Sequence, residues 1–168
     1  PERTEEGDPT NVLMPVAFIA VTTGLVGNLL LEQLLQDKYY EKVIALSRKP
    51  LEREHDRMVN RVVDFDNLDS HAQELRADDV FCCLGTTIRQ AGSQLAFRKV
   101  DYDYPLQLAR ITREQGARQF LIVTALGSDK SSSIFYNRVK GEVEEAVGQL
   151  NFPGYHIFQP SMLLGDRK

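Results

Sequence analysis

Two residues one helical turn apart, in the predicted helix after the fifth strand, are candidates for chemistry in this chain of 168 residues. Tyr136 and Lys140 lie four positions apart in a segment with helical periodicity, so we expect their side chains on one face of a helix. A cation beside a phenol favours the phenolate, and such a tyrosine can donate or accept a proton near neutral pH. The alternative is an ordinary surface pair on an amphipathic helix.

A glycine pair near the start of the chain could bind phosphate. Gly24 and Gly27 stand between a short apolar run at 16–21 and a leucine-rich segment with helical spacing at 25–36. In a dinucleotide-binding turn the first glycine lets the backbone approach the pyrophosphate, and the second lets the helix pack on the sheet. Any strand-to-helix turn can also use two glycines. The cofactor-binding candidates of this turn are Thr23, Gly24, Leu25, Val26 and Gly27.

The second apolar run ends in Ser47, Arg48 and Lys49, roughly 20 residues after the glycines. An NAD site would place an acidic residue here to hold the ribose 2′-hydroxyl. One hydroxyl and two cations suit a 2′-phosphate instead, so the sequence favours NADP over NAD, the alternative being a solvated basic pair on a surface loop.

Several motifs in a fixed order resemble a known family. They are Thr23–Gly27, Cys82–Thr87, Asp129–Ser132, Tyr136-x-x-x-Lys140-Gly141-Glu142 and Pro160–Gly165. Together they are similar to the atypical short-chain dehydrogenase/reductases, and within these to the group typified by the HIV Tat-interacting protein. The resemblance covers residues 14–168 and implies an NADPH-binding Rossmann domain.

The resemblance also implies roles for particular residues. Tyr136 would be the catalytic acid/base, while Lys140 would orient the nicotinamide ribose and favour the phenolate. Leu84, Gly85 and Thr86 would line the cofactor after the fourth strand. Pro160 would flank the nicotinamide, and Thr124 could hydrogen-bond a substrate carbonyl.

Three departures from the family pattern leave a second hypothesis open. Val21 stands where a glycine is usual and is bulky enough to widen the turn or hinder cofactor entry. Ala125 replaces a serine, and the chain ends at Lys168, before the segment of several dozen residues with which family members close the substrate pocket. We therefore expect that segment to be missing and the substrate side to be open.

The elements that must position these residues alternate between two kinds. We predict strands at 16–21, 42–46, 61–64, 79–84, 119–124 and 155–158, and helices at 25–36, 69–76, 93–115 and 133–148, with Pro105 kinking the third helix or beginning its second half. Residues 1–13 are predicted to be a flexible tail. Short buried strands alternating with helices indicate an α/β fold: a doubly wound parallel sheet in the order 3-2-1-4-5-6, with helices on both faces.

Such a sheet binds ligands where the strand order reverses, at the carboxyl ends of its strands. Asp64 and Phe65 follow the third strand and join the cofactor-binding candidates for that reason.

Composition excludes several other classes. Twenty basic against 24 acidic residues give a net charge of −4, which disfavours a global nucleic-acid or membrane-surface binder. No apolar run approaches the roughly 20 residues that span a bilayer. Cys82 and Cys83 are adjacent and cannot form a disulfide framework, which favours the cytoplasm. The three histidines show no metal-ligand spacing, so no metal is expected.

The leading hypothesis is an NADPH-dependent oxidoreductase that transfers a hydride between the nicotinamide and a carbonyl or alcohol substrate, with Tyr136 moving the proton. The alternative is an NADP(H)-binding regulatory module that presents its surface to a protein partner with little or no turnover. A Rossmann methyltransferase is a weaker third hypothesis.

Overall fold

The computed structural model describes residues 14–20 and 24–164. The predicted tail at 1–13 lies outside the described residues, and so do Val21, Thr23 and Gly165. Within the described residues the chain alternates between strands and helices.

Six parallel strands form one sheet in the order β3-β2-β1-β4-β5-β6, which confirms the predicted doubly wound topology. The order reverses between β1 and β4, the position at which doubly wound sheets bind ligands. The strands are β1 Val16–Ala20, β2 Lys42–Ser47, β3 Met58–Val62, β4 Asp79–Cys82, β5 Gln119–Val123 and β6 Gly154–Phe158.

Helices cover both faces of the sheet, as the alternation of strands and helices requires. On one face, α1 Leu25–Gln36 packs Leu31, Leu34 and Leu35 against β1 and β2. A 3₁₀ segment, Phe65–Glu74, covers the other face together with α4 Tyr104–Glu114 and α5 Phe135–Gly148. The central strand β1 lies between these layers and is buried on both faces. Its sequence is therefore an unbroken apolar run.

The helical stretch predicted at 93–115 runs without a break from Gln94 to Glu114, but it contains a π-helical turn just before Pro105. A short α2, Ile88–Ala91, comes first, and α3 Gln94–Arg98 then continues through a π-helical turn, Lys99–Asp103, into α4. Pro105 explains the turn, because it has no N–H for the carbonyl of the residue four positions earlier. The Tyr104 N–H bonds the Lys99 carbonyl instead, which widens the turn to π geometry.

Other predicted boundaries shift as well, and the fourth strand, predicted at 79–84, ends at Cys82. The third strand is Met58–Val62 and not 61–64, and it is followed by the 3₁₀ segment and not by a helix at 69–76. The Asp64 side chain accepts the Asp66 N–H at 3.0 Å and caps that segment, which is why the strand has ended before it. The last helix begins at Phe135, two residues later than predicted.

Candidate functional site

A crevice of about 590 Å³ opens at the carboxyl ends of the strands, where the strand order reverses. Most of the residues predicted from the sequence line it. They are Gly24, Leu25, Val26, Gly27, Arg48, Phe65, Leu84, Gly85, Thr86, Thr124, Tyr136 and Lys140. The topology therefore brings together residues from six separate segments of the chain.

Four of the predicted residues do not line the crevice. Ser47 is buried, and its hydroxyl donates to the Lys49 carbonyl at 2.7 Å and accepts from Asn60 Nδ2 at 2.8 Å. Asp64 uses its carboxylate to cap the 3₁₀ segment. Lys49 is exposed outside the crevice. Pro160 lines a neighbouring apolar groove of about 670 Å³ on the α1 side of the sheet.

The amino end of α1 presents to the crevice N–H groups that have no acceptor among the described residues. Gly24 is its N-cap, with extended backbone and no side chain that could accept those N–H groups. The Asn28 N–H is the first to bond back, to the Gly24 carbonyl at 3.1 Å, so the three N–H groups before it need partners from elsewhere. Gly27, in the first turn of the helix, is buried. This arrangement suits an anion such as a phosphate.

Tyr136 and Lys140 share one face of α5, and both reach the crevice. The Lys140 ammonium nitrogen lies 6.0 Å from the centre of the Tyr136 ring. That ring packs on buried Phe97 from α3, with 5.3 Å between the ring centres. The phenol is thus held by its ring, and its hydroxyl makes no hydrogen bond to any residue that the structure describes. The geometry suits proton exchange with a bound molecule.

Lys140 is paired with a carboxylate that the sequence analysis did not single out. Asp101, on the π-helical turn, places Oδ1 2.6 Å from Lys140 Nζ, and the two residues are only 1% and 4% exposed. At this distance the contact is a close ion pair between the ammonium and the carboxylate. The Thr86 N–H donates to Asp101 Oδ2 at 2.9 Å. Burial raises the pKa of Asp101, while Lys140 and the Thr86 N–H act in the opposite direction.

Gly85 allows this pair to lie directly beneath the loop after β4. A Cβ at this position would stand 3.3 Å from Asp101 Oδ1 and 3.4 Å from Lys140 Nζ. The first distance is tighter than ordinary van der Waals contact and the second is at its lower limit, so a side chain would press on the Asp101 carboxylate. Gly85 thus contributes close packing behind the crevice wall in addition to the cofactor contact that the resemblance implies.

A signal for Asp101 was present in the sequence. It lies four residues after Phe97 and seven before Leu108, both fully buried, on one face of the helical segment. A carboxylate on an apolar helical face requires a buried partner, and Lys140 was the cation already singled out.

Gly141 determines how closely α5 approaches the loop that precedes it. A Cβ on Gly141 would lie 2.2 Å from the backbone nitrogen of Lys130 and 2.3 Å from the carbonyl carbon of Asp129. Only glycine fits at this distance, so Gly141 sets the position of the helix that carries Tyr136 and Lys140.

Thr124 lines the crevice, but its hydroxyl is engaged elsewhere. Its Oγ1 donates to Glu144 Oε1 at 2.5 Å, and Gln159 Nε2 donates to both oxygens of the same carboxylate at 3.0 Å. A hydroxyl has one proton, so in this conformation Thr124 has none to donate to a substrate carbonyl.

The opposite end of the crevice is open and partly aromatic. Arg48 is exposed and lines the crevice with Phe65 and Tyr104, whose ring centres lie 5.4 Å apart. Tyr104 donates to Asp66 Oδ1 at 2.6 Å. Burial, followed by Asp66, raises the pKa of Tyr104. Tyr104 was not predicted as a site residue, since in sequence it is one more aromatic residue in a helical segment.

The thiols and the surface add no further chemistry to the described part of the chain. Cys82 and Cys83 are unpaired, and burial raises the pKa of each to about 12, so both are inert thiols at neutral pH. Within residues 14–20 and 24–164, no cluster of three metal-ligating side chains occurs. None of the helices described there is long and apolar enough to cross a bilayer.

Comparison with known sequences identifies relatives over most of the chain. Protein HTATIP2 of Rattus norvegicus is 40% identical over 155 residues, which are 90% of this chain and 64% of that protein. The mitochondrial protein FMP52 of Debaryomyces hansenii is 34% identical over 158 residues, which are 90% of this chain and 68% of that protein. The chain thus spans about two thirds of the length of these relatives. No protein-family model matches the sequence.

Comparison with solved structures finds the same fold in NAD-bound enzymes. The enzyme WbmH of Bordetella bronchiseptica, solved in complex with NAD+, superposes with a TM-score of 0.77 at 13% identity, covering 92% of this chain and 58% of that one. UDP-glucuronic acid 4-epimerase of Bacillus cereus, solved in complex with NAD, gives 0.71 at 14% identity, covering 91% and 58%. At these identities the likeness shows the fold alone.

The order of the motifs, the strand topology and the sequence relatives all indicate the same family. The chain belongs to the family of HTATIP2 and FMP52, atypical short-chain dehydrogenase/reductases with a Rossmann fold.

Proposed function

We propose that this protein is an NADPH-dependent oxidoreductase that acts on a small carbonyl or alcohol substrate. The observation that carries the proposal is the shared crevice: the first turn of α1, which has no side-chain cap, and the Tyr136–Lys140 pair open into one cavity. The first feature is an anion site and the second is a proton-transfer site. A reductase that binds a dinucleotide needs both in one place.

The residues present fit a dinucleotide. The first turn of α1 would hold the pyrophosphate, because it offers N–H groups without a side-chain cap. Arg48 would hold the 2′-phosphate of NADP, and Phe65 would contact the adenine. Lys140 would hold the nicotinamide ribose. When bound, NADPH would supply the hydride.

The chain itself supplies the proton. In the reducing direction the Tyr136 hydroxyl donates its proton to the substrate oxygen, and the Lys140 ammonium lies 6.0 Å from the centre of the ring that then carries the negative charge. In the oxidising direction the phenolate takes the proton back. Thr124 can help to hold the substrate oxygen only if its hydroxyl leaves Glu144.

A second candidate function is NADP(H) binding without turnover, in a module that signals to a protein partner. It is favoured by the engagement of Thr124 with Glu144 and by Ala125, which has no hydroxyl to offer in its place. This candidate requires the cofactor end of the crevice but not the Tyr136 hydroxyl. A cytoplasmic location stays a prediction for either function, since the Debaryomyces hansenii relative is named as mitochondrial.

The test is NADPH consumption by the purified protein with a panel of aldehydes, ketones and quinones, alongside an NADPH fluorescence titration. Carbonyl-dependent loss of NADPH absorbance supports the oxidoreductase. Saturable NADPH binding without turnover supports the binding module. A protein that does not bind NADPH contradicts both.

A further inference from the structure

A buried carboxylate without a part in the proposed reaction lies directly behind the Tyr136–Lys140 pair. Asp101 is 1% exposed and does not line the crevice. Because an unpaired carboxylate is costly to bury, each of its oxygens needs a partner that compensates for lost water. Those partners indicate what the residue does.

The two oxygens of Asp101 contact two different walls of the site. Oδ1 lies 2.6 Å from the Lys140 ammonium on α5, whereas Oδ2 accepts the Thr86 N–H from the loop after β4 at 2.9 Å. One carboxylate therefore ties the helix that carries the proton-transfer pair to the loop expected to contact the cofactor.

The surroundings hold Lys140 in this arrangement. Its side chain is 6% exposed, so water solvates the ammonium only slightly, and Asp101 is the carboxylate that neutralises it within the described part of the chain. Gly85 lies directly above the pair. A Cβ placed on it would stand 3.3 Å from Asp101 Oδ1 and 3.4 Å from Lys140 Nζ. The ammonium thus stays beside the Tyr136 ring, 6.0 Å from its centre.

We propose that Asp101 is a positioning residue for the reductase reaction. It holds the Lys140 ammonium in place for Tyr136 and for the cofactor, and it fixes the backbone of Gly85 and Thr86 at the same time. Asp101 acts through Lys140 and touches neither substrate nor cofactor. This inference rests on the proposed oxidoreductase function.

Two nearly isosteric substitutions separate positioning from simple structural support. Asp101→Asn keeps an oxygen for the Thr86 N–H but turns an amide N–H toward the ammonium, so attraction between the two side chains becomes a donor–donor clash. Lys140→Met removes the cation and keeps most of the side-chain length. The double variant contains neither buried charge.

A matched control breaks another ion pair that joins α3 to α5. Arg98 and Glu142 form a partly buried pair between these helices, away from the crevice lining. Glu142→Gln removes that pair and leaves Asp101 and Lys140 in place. We expect it to leave kcat unchanged.

The experiment measures kcat and KM for a carbonyl substrate, and Kd for NADPH, in the parent and all four variants. We expect Asp101→Asn to lower kcat on the order of 10²-fold, since a small misplacement of a catalytic group has that effect. In the Lys140→Met background the same substitution should change kcat by less than about twofold, because the ammonium through which Asp101 acts is absent.

Two results overturn the inference. One is a loss of kcat from Asp101→Asn that is equally large in both backgrounds, and the other is an equal loss in Glu142→Gln. If Asp101→Asn melts below the assay temperature, the double variant is compared with Lys140→Met: equal kcat supports the inference, and a lower kcat overturns it. Absence of NADPH binding by the parent contradicts the proposed function itself. If the parent binds NADPH but Asp101→Asn lowers kcat equally in the parent and in the Lys140→Met background, only the role of Asp101 is contradicted.

Discussion

At the Tyr136 end of the crevice the charged groups are buried and paired, whereas at the Arg48 end they are exposed. Lys140 and Asp101 are almost fully enclosed, and Thr86, Gly85 and the Phe97 ring hold their surroundings in place. Arg48 extends into the open crevice, and Ser47 beside it uses its hydroxyl inside the protein.

This difference indicates how the work is divided along the crevice. A buried ion pair costs desolvation energy but fixes geometry, as proton transfer requires. An exposed arginine keeps its freedom until a ligand binds, so it contributes to affinity and selectivity. Substitutions at the Tyr136 end should therefore change turnover, and substitutions at the Arg48 end should change cofactor preference.

The largest effect is expected from Tyr136→Phe. The substitution removes the hydroxyl but keeps the ring that packs on Phe97, so turnover should fall roughly 10²–10⁴-fold while NADPH affinity stays nearly constant. Steady-state kinetics and a fluorescence titration separate the two quantities. Tyr39→Phe, at an exposed tyrosine, is the control. Undiminished turnover in Tyr136→Phe would leave only the binding-module function.

Arg48→Ala tests the other end. The loss of a charge-assisted contact to the 2′-phosphate should weaken NADPH binding by about 1.5–3 kcal/mol and leave NADH binding almost unchanged. The ratio of the two dissociation constants measures this preference. Lys42→Ala, at the opposite end of β2, is the matched control. Equal affinity of the parent protein for NADPH and NADH would show that Arg48 does not bind the 2′-phosphate.

Gly141→Ala tests how the Tyr136 end is positioned. The new methyl group would overlap the backbone of Asp129 and Lys130, so the free energy of unfolding should fall by about 1–3 kcal/mol. In Gly148→Ala, on the same helix, the new methyl group meets only the Tyr155 ring, at 3.5 Å. The free energy of unfolding should therefore change by less than about 1 kcal/mol. Denaturant unfolding compares the two variants. Equal effects would mean that the close approach at Gly141 is not needed.

The smallest effect on turnover is expected from Thr124→Val. Its hydroxyl is bound to Glu144, so the loss should be less than roughly tenfold while Tyr136 is intact. The variant should lose about 1 kcal/mol of stability for the missing hydrogen bond. Thr124→Ser, which keeps the hydroxyl, is the control in kinetic and unfolding measurements. A loss as large as that of Tyr136→Phe would show that Thr124 leaves Glu144 to hold the substrate.

Much of the fold could be predicted from local patterns. The leucine spacing of α1 gave its two ends, and the unbroken apolar run of β1 gave a strand buried on both faces. The third strand was misplaced because β3 lies at the sheet edge and half-exposed polar residues interrupt its pattern. The π-helical turn was missed, because a proline inside a helical pattern does not specify how the helix accommodates it.

The candidate site was predictable as a set of segments but not as a set of contacts. Strand order places Gly24, Gly85 and Tyr136 at one edge of the sheet, and the sequence indicated that order. It did not indicate that Thr124 would face Glu144 or that Ser47 would bond its own loop, since those depend on rotamers set by tertiary packing.

The most direct test of this account is a crystal structure of the protein grown with NADP⁺. We expect density along the crevice, with the 2′-phosphate at Arg48, the pyrophosphate at the start of α1 and the nicotinamide beside Tyr136 and Lys140. Density in the apolar groove on the α1 side, or a nicotinamide turned away from Tyr136, would contradict it.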